Sequence, residues 1–379
     1  MKIRRKAPLI VISIAVLTAG LSTVSSYMSN KRMIDGAKQQ ELRTTATVIQ
    51  NSITAQSNKA AARASLVVNL PSVQEAFRRR SRTDIAKRLV PAFLAQRDQY
   101  GVREGQFHLA PAFSFLRLFD LEAGHGEDLS AFREMVVTTN KTQIAQKGVE
   151  IGRRGLSIRG VAPVLDAQGA VGSFEVGMSF STVLQDVKKT TGFEAAVFVD
   201  DAMMAKIATF IPRPDPERVI AGQQATEATN WQIIRAVAAP ERLNKASAMA
   251  MYLPSVDGTE WGMVVVPVVD YKNTPIGSVV ATRNFEEYQT QAQWALVSML
   301  SLAFMQAVLL AGAMLIVINA LVIGPMENIS DKLALLFRAE PSPNLGDLTA
   351  ADDEIGSMAR NAEALEGFVT AKRRGSHTP

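Results

Sequence analysis

Pro163-Val-Leu-Asp-Ala-Gln-Gly-Ala-Val-Gly-Ser173 sets a turn signal at 166–169 between two runs of alternating character, and so reads as an antiparallel hairpin. The pattern returns as Pro267-Val-Val-Asp-Tyr-Lys-Asn-Thr-Pro-Ile-Gly-Ser278, with one extra residue in the turn. A repeat with a period of about 105 residues is best explained by two related modules of mixed helix and sheet in tandem.

Outward from the first hairpin, strand-like segments lie at 106–110, 113–119, 149–151, 156–165 and 170–180. Residues 31–69 are polar and alanine-rich, with no glycine or proline between Ala37 and Leu70. They predict one long helix that Pro71 ends, followed by a second helix over about 83–99.

Two apolar segments bracket this region. Residues 7–30 carry no charge, and neither do residues 288–326; each is long enough to cross a bilayer. A cleaved leader is the rival reading of the first, but no small-x-small cleavage site follows it. Tyr288 and Trp294 suit an interfacial aromatic belt. Lys2, Arg4, Arg5 and Lys6 put the N-terminus in the cytoplasm, although Lys31 and Arg32 weaken the contrast. The expected divisions are a cytoplasmic N-terminus (1–6), a first span (7–28), an extracytoplasmic region (29–290), a second span (294–323), a relay (324–370) and a tail (371–379). Ala15 with Ala19, and Ala303, Ala307 and Ala311, form small-residue faces compatible with close packing in a homodimer.

Of the 379 residues, 47% are hydrophobic and 20% charged, and the apolar excess concentrates in these two segments. The absence of cysteine excludes disulfides, zinc-thiolate sites and thiol nucleophiles. The net charge of +5 is not gathered into an aromatic-laced basic face, so no nucleic-acid partner is expected. The three histidines, His108, His125 and His377, have no metal spacing, and no phosphate-cradling glycine loop occurs. No enzyme, cofactor or metal is expected.

The arrangement resembles the double Cache sensors of bacterial chemoreceptors and sensor cyclases. The third double Cache subfamily is matched most closely, through Phe107-His-Leu109, Ser114-Phe-Leu-Arg117, Gly126-Glu-Asp-Leu-Ser-Ala-Phe-Arg133, Gly148-Val-Glu-Ile-Gly152 and Leu156-Ser-Ile-Arg-Gly-Val-Ala-Pro163. This resemblance covers the membrane-distal module, about 70–181; the proximal module, about 192–285, matches only through its last hairpin. It implies an α+β fold with two transmembrane helices bracketing a long helix and two tandem PAS-like antiparallel-sheet modules. It also implies a dimeric sensor whose distal module binds a small molecule.

Several residues of the matched region could touch such a ligand. Alternation puts Phe113, Phe115, Arg117 and Phe119 on one face, with a guanidinium among three rings. Its partner is either a ligand carboxylate or an internal one, Glu150 or Asp128. Arg159 and Glu175 lie on facing strands of the first hairpin and read either as a cross-strand ion pair or as ligand contacts. His108 and Arg133 complete the polar set. The amino-acid-binding pattern of another double Cache subfamily is not recognisable, and the arginines favour an organic anion.

Beyond the second span, Met326, Ile329, Leu333 and Leu336, then Ile355, Met358, Ala362, Leu365 and Val369, make two coiled-coil seams separated by a proline-containing connector. With Asp353-Glu-Ile-Gly356 opening the second, they resemble a HAMP domain, which implies a parallel four-helix bundle from two chains. Past Val369 only ten residues remain, so no output domain is expected in this chain. The reading is a multi-pass receptor of the bacterial inner membrane, with a periplasmic or extracellular sensor and cytoplasmic termini. It would work with a separate cytoplasmic signalling protein or a full-length chemoreceptor. The alternative is a non-enzymatic accessory protein that binds an extracytoplasmic protein or forms mixed dimers with full-length receptors.

Overall fold

The computed structural model describes all residues except 1, 124, 167–168, 244–247, 339 and 376–379. Side chains are described from residue 8 to residue 372, the same gaps excepted. The N-terminal cluster of Lys2, Arg4, Arg5 and Lys6 and most of the 371–379 tail therefore lie outside the described side chains. The chain forms two compact units, Ile34–Thr290 and a second made of Met1–Met33 with Gln291–Pro379.

Helix α1 (Lys2–Val68) runs through both units, and the stretch from Ala37, free of glycine and proline, makes most of its part in the first. The helix ends ahead of Pro71, as expected, with Leu70 extended before the proline. Pro71 begins a further helix, α2 (Pro71–Arg78), where the missing N–H costs nothing. Ser81 then caps α3 (Arg82–Tyr100), its hydroxyl accepting from Asp84 N at 3.3 Å, and left-handed Gly101 ends it.

The distal sheet follows: β1 (Val102–Leu109), β2 (Phe113–Arg117), β3 (Gln146–Gly152), β4 (Gly155–Asp166) and β5 (Gly169–Met178), with α4 (Glu134–Thr142) between β2 and β3. All neighbouring pairs are antiparallel, in the order β2-β1-β5-β4-β3. Ser179 caps α5 (Phe180–Thr191), which leads into the proximal module.

That module is built on β6 (Glu194–Asp200), α6 (Asp201–Ile207), β7 (Val219–Ile220), β8 (Gln223–Ala228), α7 (Trp231–Val237), α8 (Pro240–Leu243), β9 (Ala250–Tyr252), β10 (Ser255–Val256), β11 (Thr259–Val269) and β12 (Pro275–Asn284). Its sheet runs β10-β11-β12-β6-β8-β7, with β9 beside β11. One apolar core joins Leu42, Ile49, Ala60 and Val68 of α1 to Phe107 and Phe174 of the distal sheet and Val197, Val264 and Phe285 of the proximal one.

The two quoted hairpins have the same register. Pro163 pairs Ser173 and Val164 pairs Gly172; Pro267 pairs Ser278 and Val268 pairs Gly277. The central turn residues 167–168 lie outside the described residues, but the strands they join are paired to Asp166 and Gly169. The shared glycine has a steric cause. A Cβ on Gly172 would fall 2.1 Å from His108 O, and one on Gly277 would fall 2.1 Å from Phe198 O. In both modules the strand beside the hairpin approaches closely at that point.

The second unit contains the apolar part of α1 and α9 (Glu286–Ile318), each with a stretch long and apolar enough to cross a membrane. Val11, Ala15 and Ala19 are the buried face of the first. After a wide π turn at Asn319–Ile323 come α10 (Gly324–Arg338), α11 (Gly346–Thr349) and α12 (Glu354–Gly375). Ile329, Leu345, Ala359 and Ala362 form a small core there, with Leu333, Leu348 and Ile355 against it. Met326, Met358 and Leu365 of the expected seams are exposed. Lys332 of α10 reaches the connector and α12, donating to Pro343 O at 3.0 Å, Glu363 at 2.8 Å and Glu366 at 2.6 Å.

Gly172→Ala and Gly277→Ala are each expected to lower stability by about 1–3 kcal/mol through overpacking against the neighbouring strand, measurable as a loss of thermal midpoint in the purified chain. Gly367→Ala, whose Cβ would meet nothing within 4 Å, should leave the midpoint unchanged or raise it.

Candidate functional site

One face of the distal sheet packs on α1, α2 and α3 through Phe107, Phe174 and their neighbours; the other face is polar and nonetheless buried. Alternation along β1 puts Glu104, Gln106 and His108 on that second face. Ser157 and Arg159 of β4, Ser173 and Glu175 of β5, and Glu150 of β3 share it. Arg133 reaches it from the segment before α4. All six residues that the sequence singles out, His108, Arg117, Arg133, Glu150, Arg159 and Glu175, are buried in this cluster.

Arg159 is its centre and is fully enclosed. It donates from Nη1 to Glu104 at 3.0 Å and to Glu175, and from Nε to the Glu150 carbonyl at 3.4 Å. Gly152 makes room for it, since a Cβ there would fall 2.5 Å from Nη2. Arg133 donates to Glu150 at 2.7 Å and to Glu175. Glu150 also accepts from Met135 N at 3.1 Å, and Ser157 donates to Glu104 at 2.8 Å. Arg159 and Glu175 thus form the ion pair that strand counting anticipated, with Glu104 as an additional partner.

The environment of Arg117 differs from the expected one. Phe107 pairs Leu116 while His108 pairs Ser114, so Phe115 is the extra residue of a β-bulge. The bulge breaks strict alternation: Arg117 and Ser114 share the polar face, Phe115 packs edge-on against Phe77 at 5.3 Å in the core, and Phe113 is exposed. The ring over Arg117 is Phe210, from the proximal module, at 5.2 Å. Its carboxylate partner is Glu127, at 2.7 Å, rather than Glu150 or Asp128. Arg153 holds the other oxygen of Glu127 at 2.9 Å.

The proximal module closes this side of the site. Phe210 N donates to Arg153 O at 2.9 Å, and Arg103 reaches Glu227 at 3.6 Å, which in turn accepts from Ser179 at 2.8 Å. The void bounded by Arg117, Phe119, Phe132, Arg133 and Phe210 is about 10 Å³, hardly room for one water.

The buried charges balance, with Glu104, Glu150 and Glu175 facing Arg117, Arg133 and Arg159. Burial pushes the Glu175 carboxyl up, but Arg133 and Arg159 outweigh it and hold the group down at about 2. Arg159 acts likewise on Glu104. Burial pulls His108 down to about 3, so its imidazole is neutral. Both its nitrogens, Arg117 Nη1 and Ser173 Oγ are buried without a hydrogen bond, the nearest carboxylate to His108 Nε2 being Glu175 at 4.0 Å. Glu104, Gln106, Ser114, Glu127 and Phe210 escaped the sequence reading. Glu104 and Gln106 carried a usable signal, the polar i, i+2, i+4 alternation with His108; Phe210 carried none.

Residues 37–288 match the family model described as the double sensory domain of two-component sensor kinases, dCache_3. No curated protein gives a significant match. Among solved structures, the ligand-binding domain of the Campylobacter jejuni chemoreceptor Tlp3 in complex with L-valine is 12% identical, with a TM-score of 0.40, covering 71% of this chain and 98% of that one. The Vibrio cholerae histidine kinase DctB sensor domain is 11% identical, with a TM-score of 0.41 and coverages of 68% and 98%. The periplasmic domain of Vibrio cholerae LuxQ is 9% identical, with a TM-score of 0.38 and coverages of 64% and 99%.

Arg159→Leu should destabilise the chain by about 3–5 kcal/mol, because it strands Glu104 and Glu175 in the interior. Chemical denaturation will read the loss. The pH response separates His108 from the carboxylates. A folded value of about 3 against the unfolded 6.5 means that the unfolded chain takes up a proton first, so stability falls as pH drops from about 6.5 towards 3. Glu175 adds its loss only below the ordinary carboxylate range, towards pH 2. His108→Leu should therefore flatten the thermal midpoint between pH 6.5 and 5, where His108 costs up to about 1.4 kcal/mol per unit, and keep the fall below pH 4.

Proposed function

From the premise that this chain belongs to the dCache_3 family of double sensory domains, we propose that it is a membrane-anchored receptor whose distal module binds a small organic anion. The chain has the architecture of a signalling sensor, with two apolar helices bracketing two sheet modules. The observation that carries the ligand class is Arg117. Its guanidinium is buried, its Nη1 has no partner, and its one carboxylate, Glu127, sits at the rim on the segment after β2. Glu127 acts as an internal stand-in for a ligand carboxylate, while Arg133 and Arg159 are committed to the structural network.

The closed void implies that a ligand enters only when Glu127 and Phe210 move. Phe210 belongs to the proximal module, so occupation of the distal site would be felt there directly, a differential contact of the kind a two-state receptor requires. Beyond the second apolar helix, α10 and α12 form a HAMP-like relay. Met326, Met358 and Leu365, exposed in one chain, are the seam positions that a second copy would cover in a homodimer. A separate cytoplasmic protein or a full-length receptor would supply the output.

Thermal-shift screening of the full chain in detergent against dicarboxylates and short hydroxy acids, which lack an alkyl tail, should find stabilising acids. Arg117→Ala should remove the shift, and Glu127→Gln, which frees the guanidinium, should enlarge it. The ligand class is wrong if none of these acids shifts the midpoint, or if Arg117→Ala responds as the parent does. Phe210→Ala should preserve binding while loosening the link to the proximal module, seen as faster amide exchange at residues 208–212.

A further inference from the structure

Away from this cluster, the opposite side of the distal sheet carries a groove of about 490 Å³ between α1, α3 and the strands. Its walls are Leu66, Val67, Leu89, Phe93, Leu118 and Phe174, among others. Arg63 and Gln96 stand at one end; Glu104 also lines the groove, its carboxylate engaged by Ser157 and Arg159. Arg63 stands 5.7 Å over the ring of Tyr100, one turn past Gln96 on α3, and both Arg63 and Gln96 line the groove. Two helical turns away, about 11 Å, the lining is Leu70 and Leu89.

Arg63 is half-buried, and among the described residues it has no carboxylate partner. Its guanidinium contacts are Met178 Sδ at 3.6 Å and the Tyr100 face. Burial depresses its pKa, as expected for a desolvated cation short of an anion. Gln96 Oε1 is buried without a donor, and turning that amide would present Nε2 to an acceptor in the same place.

We infer that this groove is a second ligand site, taking an amphipathic monocarboxylate with its head on Arg63 and Gln96 and its alkyl chain along Leu66, Leu70 and Leu89. A guanidinium at one end and hydrocarbon walls at the other match a carboxylate with an apolar tail in both charge and shape. A second copy of the chain fits less well. Among the described residues, α1 exposes no large apolar side chain between Met33 and Leu66, so the apolar surface is local to the groove rim. A stable protein interface needs about 800 Å² per partner. The site shares no charged contact with Arg117 and stands independently of the anion site proposed above.

The test is calorimetric titration of sodium octanoate into the full chain in lipid nanodiscs, with empty discs subtracted. Saturable binding is expected. It should weaken about tenfold or more in Arg63→Gln, the worth of a charge-assisted hydrogen bond, vanish in Ala92→Trp, which fills the groove, and persist in Arg117→Ala. Octanol should bind more weakly than octanoate. The inference fails if octanoate binds no more than to empty discs, or if Arg63→Gln and Ala92→Trp bind it like the parent. It also fails if Leu66→Cys, the sole cysteine in the chain, gives disulfide-linked dimers that exclude octanoate, because the groove is then a contact between copies.

Discussion

A fully enclosed guanidinium constrains the distal module more than any other group. Arg159 sits in the middle of the sheet, out of reach of water, and such a charge is tolerable only when it is paired and its donors are used. Glu104 from β1, Glu175 from β5 and the Glu150 carbonyl from β3 meet that demand, so one side chain of β4 ties together the sheet on both sides of it. Arg133 extends the network to the segment leading into α4. Charge balance, the glycine at 152 and the register of four strands all follow from keeping this cation satisfied.

Such a network is costly to assemble and adds little net stability over an apolar core. What it supplies is definition. With Arg133 and Arg159 held by carboxylates, Arg117 is the buried guanidinium held by a carboxylate from the rim, and it is also the one touched by the proximal module. The polar face thus divides into a centre of paired charges and an edge where Arg117 Nη1 makes no hydrogen bond. That edge is also where Phe210, Arg153 and Glu227 join the two modules.

Legibility followed sequence distance. Of the six residues in the buried cluster, His108, Glu150, Arg159 and Glu175 share a face because period-2 alternation and short turns fix which side chains of adjacent strands meet. Arg159 and Glu175 could be paired by counting. Arg117 could not be placed correctly, since one extra residue at Phe115 shifts the alternation, and nothing in Phe113-Ser-Phe-Leu-Arg117 announces a bulge. Pro71 ended the long helix as expected, but the short α2 after it was not foreseen. A proline both ends and begins helices, and the short α2 that it opens differs from a loop only through the packing of Val73, Ala76 and Phe77.

The sequence by itself determined the two apolar helices, the long α1, and the tandem hairpins with their matched proline and glycine positions, because these depend on composition and short-range period. Tertiary structure alone decided that Glu127 answers Arg117, that Phe210 covers it from the other module, and that Arg63, among the described residues, lines an apolar groove with no carboxylate in ion-pair reach. Those outcomes depend on which surfaces meet once the chain is folded. A local pattern specifies the face a side chain occupies, but not the distant residue that arrives to meet it.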